Sequence, residues 1–241
     1  MQKNLNSLAK IMVGARASID ALVRQYTSAP GRLKADNTPV TELDLRLSAV
    51  IEEVALRELP GVTFYSEEKF SDWAFPLLAL DPLDGTREYL QGGDEWALSL
   101  GLFPTAAFHG EGWVYNPRTG ECFSDPVARP FPRKDTYRGE VSRAEWESGL
   151  FAGKASARLV LAPVGSIAYK LGRLAAGSCD YVVSLRPKNI WDIAGGTLLC
   201  HQAGLRFYAR GAEVTTVEQL YRPPLIWCHP ELASELAEIY P

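Results

Sequence analysis

The chain has 241 residues, 46% of them hydrophobic and 22% charged, with a formal net charge of −4. That is ample apolar material for one large domain or two closely packed halves, and it leaves no electrostatic footprint for nucleic-acid binding. No hydrophobic run is long enough to span a bilayer, and residues 1–6 lack the apolar core of a signal peptide. Cys122, Cys179, Cys200 and Cys228 are widely scattered, and His109, His201 and His229 have no metal-binding spacing. The expectation is a cytoplasmic, reduced protein with neither nucleic acid nor membrane as partner.

Leu5, Leu8, Met12, Ala15, Ile19, Leu22 and Tyr26 recur at helical spacing and predict an opening amphipathic helix. A polar loop at 34–39 separates it from a second helix over about 41–59, with Leu43, Leu47, Val50, Ile51 and Val54 on its apolar face. Strand-like runs follow at 62–65, 76–80, 97–103, 110–115 and 122–123, and residues 116–120 read as a hairpin turn between the last two. From about 125 to 156 the sequence is rich in Pro, Arg, Gly and Glu with weak periodicity. It reads as the passage between an N-terminal α+β half, 1–135, and a C-terminal α/β half, 136–241, joined in one compact unit. The second half alternates strand 158–162, helix 166–176, strand 181–184, helix 192–203, strands 205–208 and 225–228, and helix 231–239. That alternation gives an α/β fold class with layered sheets and helices.

The segment 80–86, Leu-Asp-Pro-Leu-Asp-Gly-Thr, carries the most chemistry. An apolar strand ends on Asp81, and a proline turn brings Asp84 back beside it. Two carboxylates so placed repel one another without a cation, and oxygen ligands of this kind suit Mg²⁺. Gly85 and Thr86 then offer backbone N–H groups to an anion where a short helix begins. Taken alone, either Asp81 or Asp84 reads better as part of a plain turn, since Asp-Pro and Asp-Gly pairs are common turn formers. Thr41 to Asp44 reads either as a capping box or as the source of a site carboxylate. Glu67 and Glu68 follow a short strand, as a solvated pair or as ligands. Asp192, after Trp191, begins an apolar helix, as a cap or as a ligand. Each carboxylate sits at a strand end or helix start, from which separate elements converge on one site. Adjacent metal ions would neutralise such a cluster, activate water and stabilise a leaving oxygen.

In their order along the chain, Thr41–Asp44, Glu67-Glu68, Asp81 to Thr86 and Trp191 to Gly196 resemble the inositol monophosphatase superfamily of Mg²⁺-dependent, lithium-sensitive phosphatases. The resemblance implies an αβαβα sandwich of the inositol monophosphatase and fructose-1,6-bisphosphatase type, usually a homodimer. It implies that Glu67, Asp81 and the Leu83 carbonyl hold one Mg²⁺, and that Asp81, Asp84 and Asp192 hold a second. Glu67, with Glu68, would help place a third, so two or three ions are expected. Asp44 and the Thr86 hydroxyl would orient and deprotonate the attacking water, since a lone hydroxyl is a poor base. The N–H groups of Gly85 and Thr86 would bind phosphate, and attack would be direct, without a covalent phosphoenzyme.

The substrate expected is a small phosphorylated metabolite. In the inositol-specific branch a Glu precedes the Trp-Asp pair; here residues 184–190 contain no carboxylate and carry Arg186 and Lys188. Two cations there suit a second phosphate, though a solvated loop is the alternative. Residues 34–41 and 84–89 also look like the bisphosphate nucleotidase, or CysQ-type, branch, which removes the 3′-phosphate of adenosine 3′,5′-bisphosphate. Gly165 and Ser166 join the substrate-binding set. That branch often places a lysine four residues after this glycine, where the chain has Tyr169 and puts Lys170 next. A broad inositol or sugar monophosphatase is the alternative enzyme, and a non-catalytic metal-binding regulatory relative the alternative class.

Overall fold

The computed structural model describes residues 7–26, 32–33, 39–69, 72–154 and 156–241. Leu5 and the stretch 34–38, both part of the sequence expectations, lie outside the described residues. Helix α1 (Ser7–Gln25) buries Leu8, Ile11, Met12, Ala15 and Ile19 along one face, as their spacing requires. A two-stranded antiparallel ribbon, β1 (Arg32–Leu33) and β2 (Pro39–Val40), leads into α2 (Glu42–Glu58). There Leu43, Leu47, Ile51 and Val54 are buried.

The first sheet runs β3 (Thr63–Ser66), β4 (Leu77–Asp84), β5 (Ala97–Phe103), β6 (Glu111–Tyr115) and β7 (Cys122–Phe123) in that spatial order. β3 and β4 are parallel and the remaining pairs antiparallel. Alternation along β4 sends Leu78 and Leu80 into the core shared with α1 and α2, and Leu77 and Ala79 into the core on the other face. The strand continues four residues beyond its expected end, so Asp81 and Asp84 belong to it. Its ladder with β5 breaks register between those two aspartates, a bulge that turns the strand end. Helix α3 (Thr86–Leu90) follows at once.

The second sheet begins where the sequence predicts only a connection. β8 (Tyr137–Ser142) and α4 (Arg143–Glu147) both fall within 125–156, and β8 is an interior strand. The apolar pattern is broken there by Glu140, which is fully buried and held by the Arg173 guanidinium at 2.9–3.2 Å. A partner 33 residues away makes the buried charge tolerable. β9 (Leu159–Val164), α5 (Ile167–Ala175), β10 (Tyr181–Ser184), β11 (Lys188–Asn189) and α6 (Ile190–Gln202) come next. They are followed by β12 (Arg206–Ala209), β13 (Ala212–Glu213), β14 (Leu220–Tyr221), β15 (Leu225–Cys228), a 3₁₀ turn at Pro230–Leu232 and α7 (Ala233–Ile239). The spatial order is β13-β12-β15-β10-β8-β9, with β11 and β14 paired separately.

The layers are α1 and α2, the first sheet, α5 and α6, the second sheet, then α7, an αβαβα sandwich. α5 and α6 fill the central core, while Leu232, Leu236 and Tyr240 cover the far face of the second sheet. α6 lies unusually close to the first sheet. A Cβ on Gly195 would stand 2.6 Å from the carbonyl oxygens of Leu100 and Trp113, and one on Gly101 would meet the Cβ of Ala194 at 2.5 Å. Backbone therefore rests on backbone. This seating carries the first turn of α6, with Asp192, to the end of β4.

Candidate active site

Thr41 caps α2, and its cap is also part of the site. Asp44 Oδ2 accepts the Thr41 N–H at 2.8 Å and the Thr41 hydroxyl at 2.5 Å, while the Asp44 N–H donates to Thr41 Oγ1 at 3.4 Å. The other oxygen, Oδ1, lies 3.5 Å from Thr86 Oγ1. The capping-box reading of Asp44 is what the structure shows, and the same side chain leaves its second oxygen facing Thr86. Its burial raises the carboxyl to about 6; the Thr41 bonds oppose the shift and the charge of Glu68 adds to it.

β4 delivers the next carboxylates. Asp81 is buried, and its Oδ1 accepts the Leu83 N–H at 3.0 Å. Burial, followed by the charges of Glu67, Asp84 and Asp192, pushes it well above the usual carboxylate range. The Leu83 side chain lies in the core, and its carbonyl accepts the Thr86 hydroxyl at 3.1 Å. Gly85 sits at φ 95°, a left-handed conformation that lets the strand enter α3 without a side-chain clash. Asp84 Oδ2 takes the Ala168 N–H at 2.6 Å and the hydroxyl of Ser166. Its carboxyl is raised by burial, against the Ser166 and Ala168 bonds and the charges of Lys170 and Lys188. Ser166 caps α5 by accepting the Tyr169 N–H, at a positive φ of 47°.

From the second half, Asp192 Oδ2 accepts the Asn189 N–H at 2.8 Å. Asn189, not Asp192, is the helix cap, and Asp192 stands in the first turn. Burial raises its carboxyl to about 7; Lys188 pulls it down, and Asp84 and Glu67 push it up. Glu67 and Glu68 are half-buried just beyond β3, where the Glu67 N–H donates to the Leu80 carbonyl at 3.3 Å.

Asp81, Asp84, Asp192 and Glu67 therefore share one electrostatic neighbourhood. Among the described residues, no three acidic, His or Cys side chains are drawn in to ligand spacing. The donor set is all oxygen, with a carbonyl beside the carboxylates, and the excess negative charge calls for a hard divalent cation. This chemistry fits Mg²⁺.

Beside Asp84 and Gly85 opens a cavity of about 140 Å³, walled on its far side by Ser142, Ser184 and Lys188. Lys188 approaches the buried Glu145 carboxylate at 3.8 Å. Glu145 is itself fixed by the Ser184 hydroxyl and the Leu185 N–H, both at 2.7 Å. Arg186 is exposed and does not line this cavity, so the expected pair of cations is divided. Tyr169 turns away to donate to Glu121 at 2.5 Å. Sequence reasoning missed Glu145, although the Ser142 to Glu145 spacing was a legible helix-start signal, and it noted Lys170 only as one place beyond the lysine of the CysQ-type branch, without a role in the site.

The sequence profile of the inositol monophosphatase family matches residues 4–131, more than half of the chain. The chain is 26% identical over 214 residues to the 3′(2′),5′-bisphosphate nucleotidase CysQ of Escherichia coli strain K12, covering 79% of this chain and 85% of that protein. It is 25% identical over 193 residues to the inositol-1-monophosphatase of Bacillus subtilis, covering 70% and 71%. Among solved structures, an IMPase/NADP phosphatase complexed with Mg²⁺ and phosphate superposes with a TM-score of 0.77 at 16% identity, covering 98% of this chain and 96% of that one.

Proposed function

This chain belongs to the inositol monophosphatase family and is a metal-dependent phosphomonoesterase, and from that premise we propose that its substrate is a small phosphate ester bearing a second phosphate, best represented by adenosine 3′,5′-bisphosphate. The observation that carries the substrate reading is Lys188, a partly exposed cation in the wall of the cavity that adjoins Asp84 and Gly85. The similarity to a CysQ nucleotidase supports the same assignment.

Asp81, Asp84, Asp192 and Glu67 would hold Mg²⁺ with the Leu83 carbonyl, in two or three sites, with Glu68 assisting the weakest. When bound, Mg²⁺ supplies the positive charge that acidifies water and stabilises the leaving oxygen. Thr86 Oγ1 directs its own hydrogen toward the Leu83 carbonyl and Asp44 Oδ1, leaving its lone pairs to accept a hydrogen from the attacking water. As water attacks phosphorus, its proton passes to Thr86 while the Thr86 proton passes to Asp44 Oδ1. Asp44 Oδ2 stays engaged with Thr41, which fixes the carboxylate plane during the transfer. The Gly85 and Thr86 N–H groups hold phosphate oxygens. Lys188 takes the second phosphate by a charge-assisted hydrogen bond.

Phosphate release from a panel of adenosine 3′,5′-bisphosphate, inositol monophosphates, histidinol phosphate and fructose bisphosphate, with and without Mg²⁺, tests this. The bisphosphate nucleotide should have the highest kcat/KM. A flat profile, or a preference for inositol phosphates, would move the assignment to a broad monophosphatase.

A further inference from the structure

Lys170 is fully buried in α5, a helix whose other buried residues include Ile167, Ala168, Leu171 and Leu174. Its ammonium donates to three consecutive backbone carbonyls, those of Val164 at 3.0 Å, Gly165 at 3.2 Å and Ser166 at 2.9 Å. An ammonium has three donors, so none remains for a ligand, although Lys170 lines the cavity beside Asp84. The charge is used inside the protein. Three carbonyl dipoles aimed at one point repel each other; a cation at that point holds them together.

The result is a sharp exit from β9 into α5. Ser166 adopts φ 47°, a strained conformation for a non-glycine residue that persists only where its surroundings impose it. On the other side the Gly165 N–H donates to Glu95 Oε2 at 2.7 Å, and Glu95 is paired with Arg143. A Cβ on Gly165 would meet Glu88 Cγ and the Glu95 carbonyl, so the turn has no slack. Held this way, the Ser166 hydroxyl and the Ala168 N–H both reach Asp84 Oδ2.

We propose that Lys170 is a positioning residue for Asp84: by gathering the Val164, Gly165 and Ser166 carbonyls it aims the Ser166 hydroxyl and the Ala168 N–H at one oxygen of Asp84, and so turns the other toward the acidic cluster. The proposal rests on the reading of Asp84 as a Mg²⁺ ligand. Outer partners that orient a ligand typically contribute about 10–100-fold to metal affinity.

The test is calorimetric Mg²⁺ binding to the substrate-free protein, with amide hydrogen exchange at Ala168 and Tyr169 in the metal-free state. Lys170→Met should fold, bind Mg²⁺ at least tenfold more weakly and exchange both amides faster. In an Asp84→Asn background the same substitution should produce no further loss of affinity. Should Lys170→Met not fold, Ser166→Ala keeps the clamp, removes only the hydroxyl and should still weaken Mg²⁺ binding while coupling to Asp84→Asn in the same way. Wild-type affinity in folded Lys170→Met, or in Ser166→Ala if that is the variant measured, overturns the proposal. So do additive losses in the cycle. If Asp84→Asn alone binds Mg²⁺ like wild type, the reading of Asp84 has failed instead, and the two failures are distinguishable.

Discussion

Thr86 Oγ1 stands 3.5 Å from Asp44 Oδ1 across 42 residues of sequence, while the opposite oxygen of the same carboxylate closes the first turn of α2. One side chain thus ends a helix and faces a hydroxyl in the site. Thr86→Ala and Asp44→Asn should each lower kcat by orders of magnitude with KM nearly unchanged, because neither holds the ester. If they form one relay, the double variant should be scarcely worse than the poorer single. Multiplied losses in steady-state kinetics would show two independent roles.

The role proposed for Asp44 implies a pH dependence. Its burial raises the carboxyl to about 6 in the absence of a cation, and the relay needs the deprotonated form. In the metal-free protein the Asp44 carboxyl, followed by NMR, should titrate near 6; adding Mg²⁺ should move it down, since a nearby positive charge favours the carboxylate. The acid limb of kcat should move with it and be absent in Asp44→Asn.

Metal-free stability should fall as pH rises. Asp81, Asp44 and Asp192 are all raised by burial, so above the unfolded pKa the folded state binds more protons than the unfolded chain, and each pH increment favours unfolding. The loss begins near the unfolded value of about 4 and, for Asp44 and Asp192, tails off as pH rises through their folded values of about 6 and about 7. Asp81→Asn should flatten this slope in EDTA and raise Tm at neutral pH, each 1 kcal/mol gained giving about 2–4 °C. The same variant should lose most of the Tm increase that Mg²⁺ confers on wild type. A metal-free Tm independent of pH from 4 to 7 would contradict the electrostatic account.

Gly85 and Leu83 should differ sharply. At φ 95°, a Cβ on Gly85 would also lie 3.1 Å from Glu95 O, Ser166 Cβ and Trp96 Cβ. Gly85→Ala should therefore cost about 1–3 kcal/mol and most activity, and Gly85→Val more. Leu83→Ile keeps the carbonyl and most of the buried volume, so it should cost below about 1.5 kcal/mol and retain most turnover. Thermal melts and kcat/KM separate the two.

Lys188→Ala should raise KM for adenosine 3′,5′-bisphosphate about tenfold or more, from the loss of a charge-assisted bond of about 1.5–3 kcal/mol. Arg186→Ala should change little, because that side chain is exposed and outside the cavity. Monophosphate hydrolysis should be indifferent to both, and the preference for the bisphosphate should weaken with salt. Equal small effects of Lys188→Ala on both substrate classes would remove the second-phosphate subsite.

The parts of the site legible in the sequence were those whose neighbours in space are also neighbours along the chain. Asp81, Asp84 and Gly85 are one strand end, Thr41 and Asp44 one helix cap, and Asp192 one first turn. β8 was opaque because it carries a buried charge satisfied through tertiary geometry, whereas the role of Lys170 was hidden because its partners, only four to six residues back, converge at a turn that no side-chain pattern marks. Glu140 depends on Arg173, and Lys170 on carbonyls that converge only once β9 turns sharply into α5. Local patterning reads such residues as polar surface. The division of Arg186 from Lys188 was equally hidden: only Lys188 lines the cavity, while Arg186 is exposed.

The contact of Gly195 with the Leu100 and Trp113 carbonyls, and of Gly101 with Ala194, acts on the site as a fixed gauge. The offset between Asp192 and the aspartates of β4 is set largely by two main chains in close approach, with only the small Ser99 side chain beside Gly195 to take up a change. Widening that gauge for a larger divalent ion, or narrowing it for a smaller one, thus falls to positions 101, 194 and 195, none of which bears a ligand.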